Sequence, residues 1–166
     1  MAAIPPIRNP ATLPSTSDSH GEHFAATYWP IGHALGLAKL GCRMVEVAPG
    51  KKAWPYHLHH ANEELFVIVA GQGTLRYDGA EYPVQTGDVV GTRAGPGTAH
   101  QIINTSDAPL RYLAISTMIE PEVSEYPDSG KLYAMAGAPP GGDPSRRTLA
   151  RVLLKDAAVD YWLGER

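Results

Sequence analysis

The chain has 166 residues, a formal net charge of −3 and 43% hydrophobic residues, which is enough apolar material for one folded domain. This balance excludes an intrinsically disordered polyelectrolyte, and it lacks the positive charge expected of a nucleic-acid-binding protein. The chain also contains 17 glycines and 15 prolines, which favour a turn-rich β architecture over a helical bundle.

Cysteine use and hydropathy predict the compartment. Cys42 is the single cysteine, so the chain cannot form an internal disulfide. The first 15 residues lack the apolar segment of a secretory signal. The longest apolar run, residues 65–70, reaches six residues, whereas a membrane-spanning helix needs about twenty. We therefore expect a cytoplasmic protein that neither crosses a membrane nor binds nucleic acid.

The segment before residue 28 is rich in proline, with four prolines among its first 14 residues. Proline favours extended backbone and interrupts helices. We predict an N-terminal arm over residues 1–27 that either extends into solvent or packs along a second copy of the chain. This arm, together with the exposed edge strands of a β fold, predicts a homodimer.

Short apolar segments separated by turn signals follow from Cys42 onwards, a pattern typical of a β-sandwich or barrel. Residues 65–70 are apolar throughout, which predicts a strand buried on both faces. Asp78-Gly79 predicts a tight type I′ hairpin. The predicted strands are 42–48, 65–70, 74–77, 80–84, 89–92, 101–103 and 110–118.

These segments predict an all-β sandwich or barrel over residues 28–120. The remaining residues, 121–166, contain a proline- and glycine-rich loop at 139–144 and are expected to form an irregular C-terminal extension that packs on the barrel. Within this extension, residues 146–156 fit either a short amphipathic helix or a strand.

Histidines and acids cluster in one short segment. Three histidines fall within four residues and two acids follow directly; these are His57, His59, His60, Glu63 and Glu64. On a strand, residues 57 and 59 point to the same face. Imidazole and carboxylate together suit a divalent Mn, Fe, Ni, Co or Zn ion, and His100 is a further candidate ligand. The alternative is a hydrated, histidine-rich surface loop.

The spacing of these residues resembles the cupin superfamily. The pattern Gly50-x6-His57-x-His59-x4-Glu64-x6-Gly71 is similar to its first motif, and Gly87-Asp88 with His100-x3-Asn104 is similar to its second. Arg93 stands where the second motif usually has proline, so the loop before His100 is expected to be reshaped. The whole chain resembles small single-domain bacterial cupins grouped as sugar-phosphate isomerases.

The resemblance implies a cupin-type antiparallel jelly-roll β-barrel with one divalent metal ion bound by three histidines and one glutamate. Transferred residue by residue, the ligands are His57, His59, Glu64 and His100. Glu64 is preferred to Glu63 because it has the family's spacing to Gly71. Such a site leaves coordination positions open for a small-molecule ligand.

Three functions fit this site. The first is an isomerase that acts on a sugar phosphate or another hydroxy-carbonyl compound through a metal-bound enediolate. The others are an iron-dependent dioxygenase and a non-catalytic module that binds a small molecule or a metal. The candidate proton carriers are Glu63, His60 and Tyr77. The candidate substrate-binding residues are Arg93, Tyr56 and Lys52, although a lysine beside a Pro-Gly turn also fits a solvated turn.

Overall fold

The computed structural model describes residues 4–166, of which most regular structure is antiparallel β-strand. Within this range the strands are β1 (Thr16–His20), β2 (Phe24–Trp29), β3 (Leu40–Val47), β4 (Leu58–His59), β5 (Glu64–Ala70), β6 (Gln72–Tyr77), β7 (Ala80–Gln85), β8 (Val89–Thr92), β9 (His100–Ile103), β10 (Leu110–Thr117), β11 (Glu122–Tyr126), β12 (Lys131–Ala136) and β13 (Leu149–Leu154). The prediction of an all-β antiparallel fold is confirmed.

Helix is confined to short connections. The α-helix α1 (Ile31–Ala34) joins β2 to β3, and 3-10 turns occupy Pro10–Thr12, Pro127–Ser129 and Pro144–Arg146. Residues 4–166 contain no helix with the length and apolar character needed to cross a bilayer.

The strands form three sheets. The largest has the order β1-β2-β3-β10-β5-β8, the second β13-β12-β11-β4, and the third β7-β6-β9. The main core lies between the large sheet and the three-stranded sheet, because β-strands direct alternate side chains to one face. Its buried side chains are Ala26, Val45, Val47, Phe66, Ile68, Leu75, Val84, Ile102, Leu110 and Tyr112.

Two turns of the barrel depend on particular residues, either predicted from the sequence or buried in the structure. Asp78 and Gly79 have φ angles of 45° and 82°, which are the positive values that a type I′ hairpin between β6 and β7 requires. Asn104 is completely buried. Its Nδ2 donates to the carbonyls of Val47 and Ala108 at 2.9 and 2.8 Å, and its Oδ1 accepts from the backbone and hydroxyl of Ser106. Asn104 therefore fixes the turn between β9 and β10.

The expectation that residues 65–70 are buried on both faces is wrong. In β5 burial alternates, and Leu65 and Val69 are 40% and 36% exposed. Only one face of the large sheet packs on the core at this point. An uninterrupted apolar run therefore does not mean here that both faces of the strand are buried.

The chain ends also differ from the sequence prediction. The first three residues of the predicted arm lie outside the described residues, but Thr16–His20 and Phe24–Trp29 already pair as strands of the large sheet. Of the two alternatives for residues 146–156, the structure shows the strand β13, which pairs with β12. The extension is thus part of a sheet that reaches β4 and the histidine cluster through β11.

Candidate metal centre

Three short elements carry the four candidate ligands to one place. His59 ends β4, Glu64 begins β5 and His100 begins β9. His57 precedes β4, and its backbone pairs with that of His100 through hydrogen bonds of 3.2 and 2.7 Å. Because these backbones are held at strand ends, the side chains converge inside the barrel rather than spreading over a loop.

The polar atoms of these side chains lie close together. His100 Nε2 is 2.8 Å from Glu64 Oε2, and His59 Nε2 is 3.4 Å from the same oxygen. One ligand atom each from His57, His59 and Glu64 can be enclosed within 4.8 Å. Neighbouring ligands of one divalent ion are roughly 2.8–3.5 Å apart when each is about 2.0–2.2 Å from the ion. The observed separations therefore fit a metal-binding arrangement.

The outer nitrogens of two histidines are engaged by backbone carbonyls. His57 Nδ1 is 2.8 Å from the carbonyl of Pro55, and His100 Nδ1 is 3.0 Å from that of Thr98. A carbonyl only accepts, so each Nδ1 carries a proton, and each Nε2 points to the centre. This orientation is common for histidines that bind metals.

His59 has the same orientation through different partners. Its Nδ1 lies 3.2 Å from Ser124 Oγ and 3.6 Å from Glu122 Oε2. Its Nε2 is buried and has no hydrogen-bond partner within residues 4–166. A buried polar atom without a partner is costly, and a metal ion at the centre would satisfy it.

The electrostatics of the cluster favour a positive charge. Burial raises the pKa of Glu64, but the close contacts with the imidazoles of His100 and His59 outweigh burial and hold this pKa well below its usual range. Burial lowers the pKa of His59, yet the carboxylates of Glu122 and Glu64 outweigh it and raise the pKa to about 9. Burial and the neighbouring His100 and His59 lower the pKa of His57 to about 3. The cluster thus combines an ionised carboxylate with a neutral imidazole, a donor set suited to a divalent cation.

Glu122 supports the site from outside. Its side chain is fully buried on β11, and it accepts hydrogen bonds from the backbone of His60 at 3.0 Å, Ala61 at 3.2 Å and Asn62 at 3.1 Å, and from the Asn62 side chain. Burial raises its pKa, but the nearby imidazole of His59 and the hydrogen bond from Asn62 outweigh burial and lower the pKa to about 2. Glu122 therefore fixes both His59 and the turn that leads to Glu64.

A cavity of about 680 Å³ opens from the cluster, a volume typical of small-molecule sites. All four candidate ligands line it, together with the aromatic side chains of Phe66, Tyr112 and Tyr126. The Tyr126 ring stacks on His57 with centroids 5.9 Å apart. Farther along, the cavity is bounded by Arg43 on β3 and by the loop between β12 and β13. The C-terminal extension therefore contributes to the site.

The three candidate proton carriers lie outside this cavity. His60 follows β4 and Glu63 precedes β5, and both side chains are exposed. His60 Nε2 instead contacts Glu125 Oε1 at 2.8 Å. Tyr77 continues the inward face of β6 and packs against the main core.

The three candidate substrate-binding residues are likewise separate from the cavity. Arg93 is exposed after the end of β8. Tyr56 is buried in a small cluster with Leu58 and Ala99, and Arg76 lies over its ring at 3.7 Å. Lys52 lies in the connection after β3, where its backbone bonds to the strands near His23. None of the six faces the cavity.

Sequence reasoning missed three residues that do line or support the site: Arg43, Glu122 and Tyr126. Glu122 and Tyr126 lie in the C-terminal extension, where no motif marks them. Arg43 lies in a predicted strand, on the same face as Val45 and Val47, which are buried. This shared face is the sequence signal that the charged side chain points inward.

Comparisons with known proteins agree with this geometry. Residues 43–116 match the cupin domain family. A protein from Acidithiobacillus ferrooxidans, provisionally described as a sugar phosphate isomerase, is 26% identical with a TM-score of 0.74 over 90% of each chain. A cupin superfamily sugar phosphate isomerase from Silicibacter pomeroyi has a TM-score of 0.77 at 23% identity, over 92% of this chain and 95% of that one, and this likeness concerns the fold.

A curated relative is the oxalate-binding protein of Thermotoga maritima, 32% identical over 82 residues. The match covers 49% of this chain and 64% of the relative, so the chain spans less than two thirds of that protein's length. Together with the motifs and the all-β fold, these comparisons identify residues 43–116 as a cupin domain and support the resemblance of the chain to the cupin superfamily.

Proposed function

We propose that the protein is a divalent-metal-dependent isomerase of small hydroxy-carbonyl compounds, with sugar phosphates as the substrate class. The observation that carries this proposal is the convergence of three histidine Nε2 atoms and one carboxylate on a small-molecule cavity. The similarity to the Acidithiobacillus ferrooxidans protein over 90% of both chains supports the choice of reaction.

In this proposal His57, His59, Glu64 and His100 hold one Zn, Mn, Fe, Ni or Co ion. A divalent ion polarises a substrate carbonyl and makes the adjacent C–H bond more acidic. Burial raises the pKa of both Tyr112 and Tyr126, so their hydroxyl groups stay protonated at neutral pH and can donate hydrogen bonds to substrate oxygens. Phe66 covers the inner wall, where it packs on His100 with centroids 5.5 Å apart, and it limits the access of water.

The test is an anaerobic assay of aldose–ketose interconversion with a panel of sugar phosphates, after separate loading with each of the five metals. We expect turnover without oxygen and loss of turnover on chelation. Activity that requires both ferrous iron and oxygen would instead identify a dioxygenase and would contradict the isomerase proposal.

A binding module for small carboxylates is the second candidate, and the name of the Thermotoga maritima relative favours it. Calorimetric titration with oxalate distinguishes the two functions. Oxalate binding that depends on the metal, with no turnover of any sugar phosphate, would support the binding module and contradict the isomerase.

We also propose that the chain forms a homodimer. Within residues 4–166, β12 is the single pairing partner of β13, and three of the apolar side chains of β13, Val152, Leu153 and Leu154, are 52–63% exposed. A strand with a free edge and exposed apolar side chains is a template for pairing with another chain. Light scattering should give twice the chain mass, and Leu154→Glu should shift the mass towards the monomer. A monomer in the wild type would contradict this proposal.

The cytoplasmic location also stays a prediction.

A further inference from the structure

We infer that the cavity contains an anion-binding subsite built on Arg43, which receives a phosphate or carboxylate group of the substrate. This inference rests on the proposed function, because it adds a second point of recognition to the same cavity. Such a subsite would select those small hydroxy-carbonyl compounds in which an acidic group is separated from the oxygens that chelate the metal.

The register of the large sheet places Arg43 in the cavity. On β3, Arg43 has the same parity as the fully buried Val45 and Val47, so its side chain points inward. Ala114 of β10 pairs with Arg43 on one side and with Phe66 on the other. Glu64 lies two residues from Phe66 on β5. From the spacing between strands and between residues along a strand, the Cα atoms of Arg43 and Glu64 are about 10–12 Å apart. Both side chains point inward, so a small chain-like metabolite can contact both at once.

The guanidinium of Arg43 is available to a ligand. It makes no ion pair with a carboxylate of residues 4–166, whereas Arg76 pairs with Asp128 and Arg111 pairs with Glu46, both away from the cavity. Arg43 is half-buried, and a half-buried charge without a counter-ion is costly unless a partner binds. An anionic group of the substrate would supply that partner.

Aromatic rings hold this guanidinium in place. Its carbon lies 5.3 Å from the ring centroid of Tyr28 and 5.5 Å from that of Trp54. Cation–π contacts of this kind leave the N–H groups at the edge of the guanidinium free to donate hydrogen bonds. The planar fork of an arginine suits a phosphate or carboxylate with two acceptor oxygens.

The loop between β12 and β13 closes over the same group. A Cβ atom added at Gly141, which has a φ of +80°, would lie 2.7 Å from Arg43 Nη2. Glycine therefore allows the loop to approach the guanidinium closely. Arg147 fastens this loop by donating to the carbonyls of Ala138 and Pro139 at 3.2 and 3.1 Å and to the hydroxyl of Tyr133 at 2.9 Å.

The charges around the subsite are mixed but leave Arg43 free. Arg146 adds a positive group to the cavity wall, His33 adds an imidazole, and Asp143 and Glu120 add negative groups. The Asp143 carboxylate is engaged by the backbone and hydroxyl of Ser145 at 2.9 and 2.7 Å.

The first test uses inorganic phosphate and acetate as probes on the metal-free protein. Each is titrated while the arginine Nε–H signals are followed by ¹H–¹⁵N NMR. We expect phosphate to shift the Arg43 signal, and Arg43→Gln to weaken phosphate binding by about 10–100-fold, as expected for loss of charge-assisted hydrogen bonds. Arg43→Lys should retain part of the affinity. Arg111→Gln, on the outer face of the neighbouring strand, is the matched control and should bind phosphate like the wild type.

The outcomes separate this inference from the proposed function. Stronger binding of phosphate identifies a phosphate subsite, and stronger binding of acetate a carboxylate subsite. If Arg43→Gln binds both anions as well as the wild type, or if the wild type binds neither, the inference is overturned. In the metal-loaded enzyme Arg43→Gln should keep its metal and raise KM for phosphorylated substrates more than it lowers kcat. A wild type that binds phosphate at Arg43 but no metal would contradict only the proposed function.

Discussion

His59→Ala is expected to lower the affinity for a divalent metal by more than about 100-fold, beyond the 10–100-fold loss typical of residues that only support a ligand. The reason is that His59 Nε2 is buried beside Glu64 Oε2 with no hydrogen-bond partner within residues 4–166, so a metal ion that displaces its proton would satisfy this atom. The dissociation constant for Zn²⁺ is measured by competition with a chromophoric chelator, in parallel with circular dichroism to verify the fold.

The neighbouring His60 provides the matched control. It has the same side chain one residue away, but it is exposed and contacts Glu125. His60→Ala should therefore bind metal like the wild type. Equal losses of metal in both variants, or full metal retention in folded His59→Ala, would contradict the proposed ligand set.

Glu122→Gln should both destabilise the protein and weaken metal binding. Both carboxylate oxygens of Glu122 face backbone N–H groups of residues 60–62, so the amide group of glutamine would oppose a donor with a donor. Leaving such buried groups unpaired costs about 3 kcal/mol, which corresponds to a fall in Tm of about 6–12 °C for a domain of this size. Because Glu122 also orients His59, metal affinity should fall by about 10–100-fold.

Thermal unfolding of the metal-free protein measures the first effect, and chelator competition measures the second. Glu125→Gln is the matched control, since this neighbouring carboxylate on β11 lies at the surface and contacts His60 and Lys155. It should change Tm little, because exposed ion pairs contribute about 0–1 kcal/mol. An unchanged Tm in Glu122→Gln would show that the buried carboxylate does not organise the site.

The local signals in the sequence predicted the barrel well. The predicted strand 89–92 matches β8. Asp78-Gly79 forms the expected turn, because the positive φ angles of this turn are a local property of these two residues. The proximity of His57, His59, Glu64 and His100 also follows from spacing, since each lies at or next to a strand end. Their role as metal ligands stays a prediction.

The remainder depends on long-range pairing that the sequence does not report. Glu122 reaches His59 because β11 pairs with β4, and nothing near residue 122 indicates that partner. Glu63 and His60 lie beside the candidate ligands in sequence, but their side chains are exposed, and Tyr77 packs against the core. Arg43, in contrast, is distant in sequence from the candidate ligands but lines the same cavity. The other wall of this cavity at Arg43 is the loop between β12 and β13, which is also distant in sequence.

Anomalous diffraction from crystals of the protein, purified without added metal or chelator, would show whether these four side chains hold a metal ion. We expect one peak at about 2.0–2.2 Å from the Nε2 atoms of His57, His59 and His100 and from the Glu64 carboxylate, and the absorption edge identifies the element. No peak among these four side chains, even after soaking with each of the five metals, would contradict the proposed metal centre.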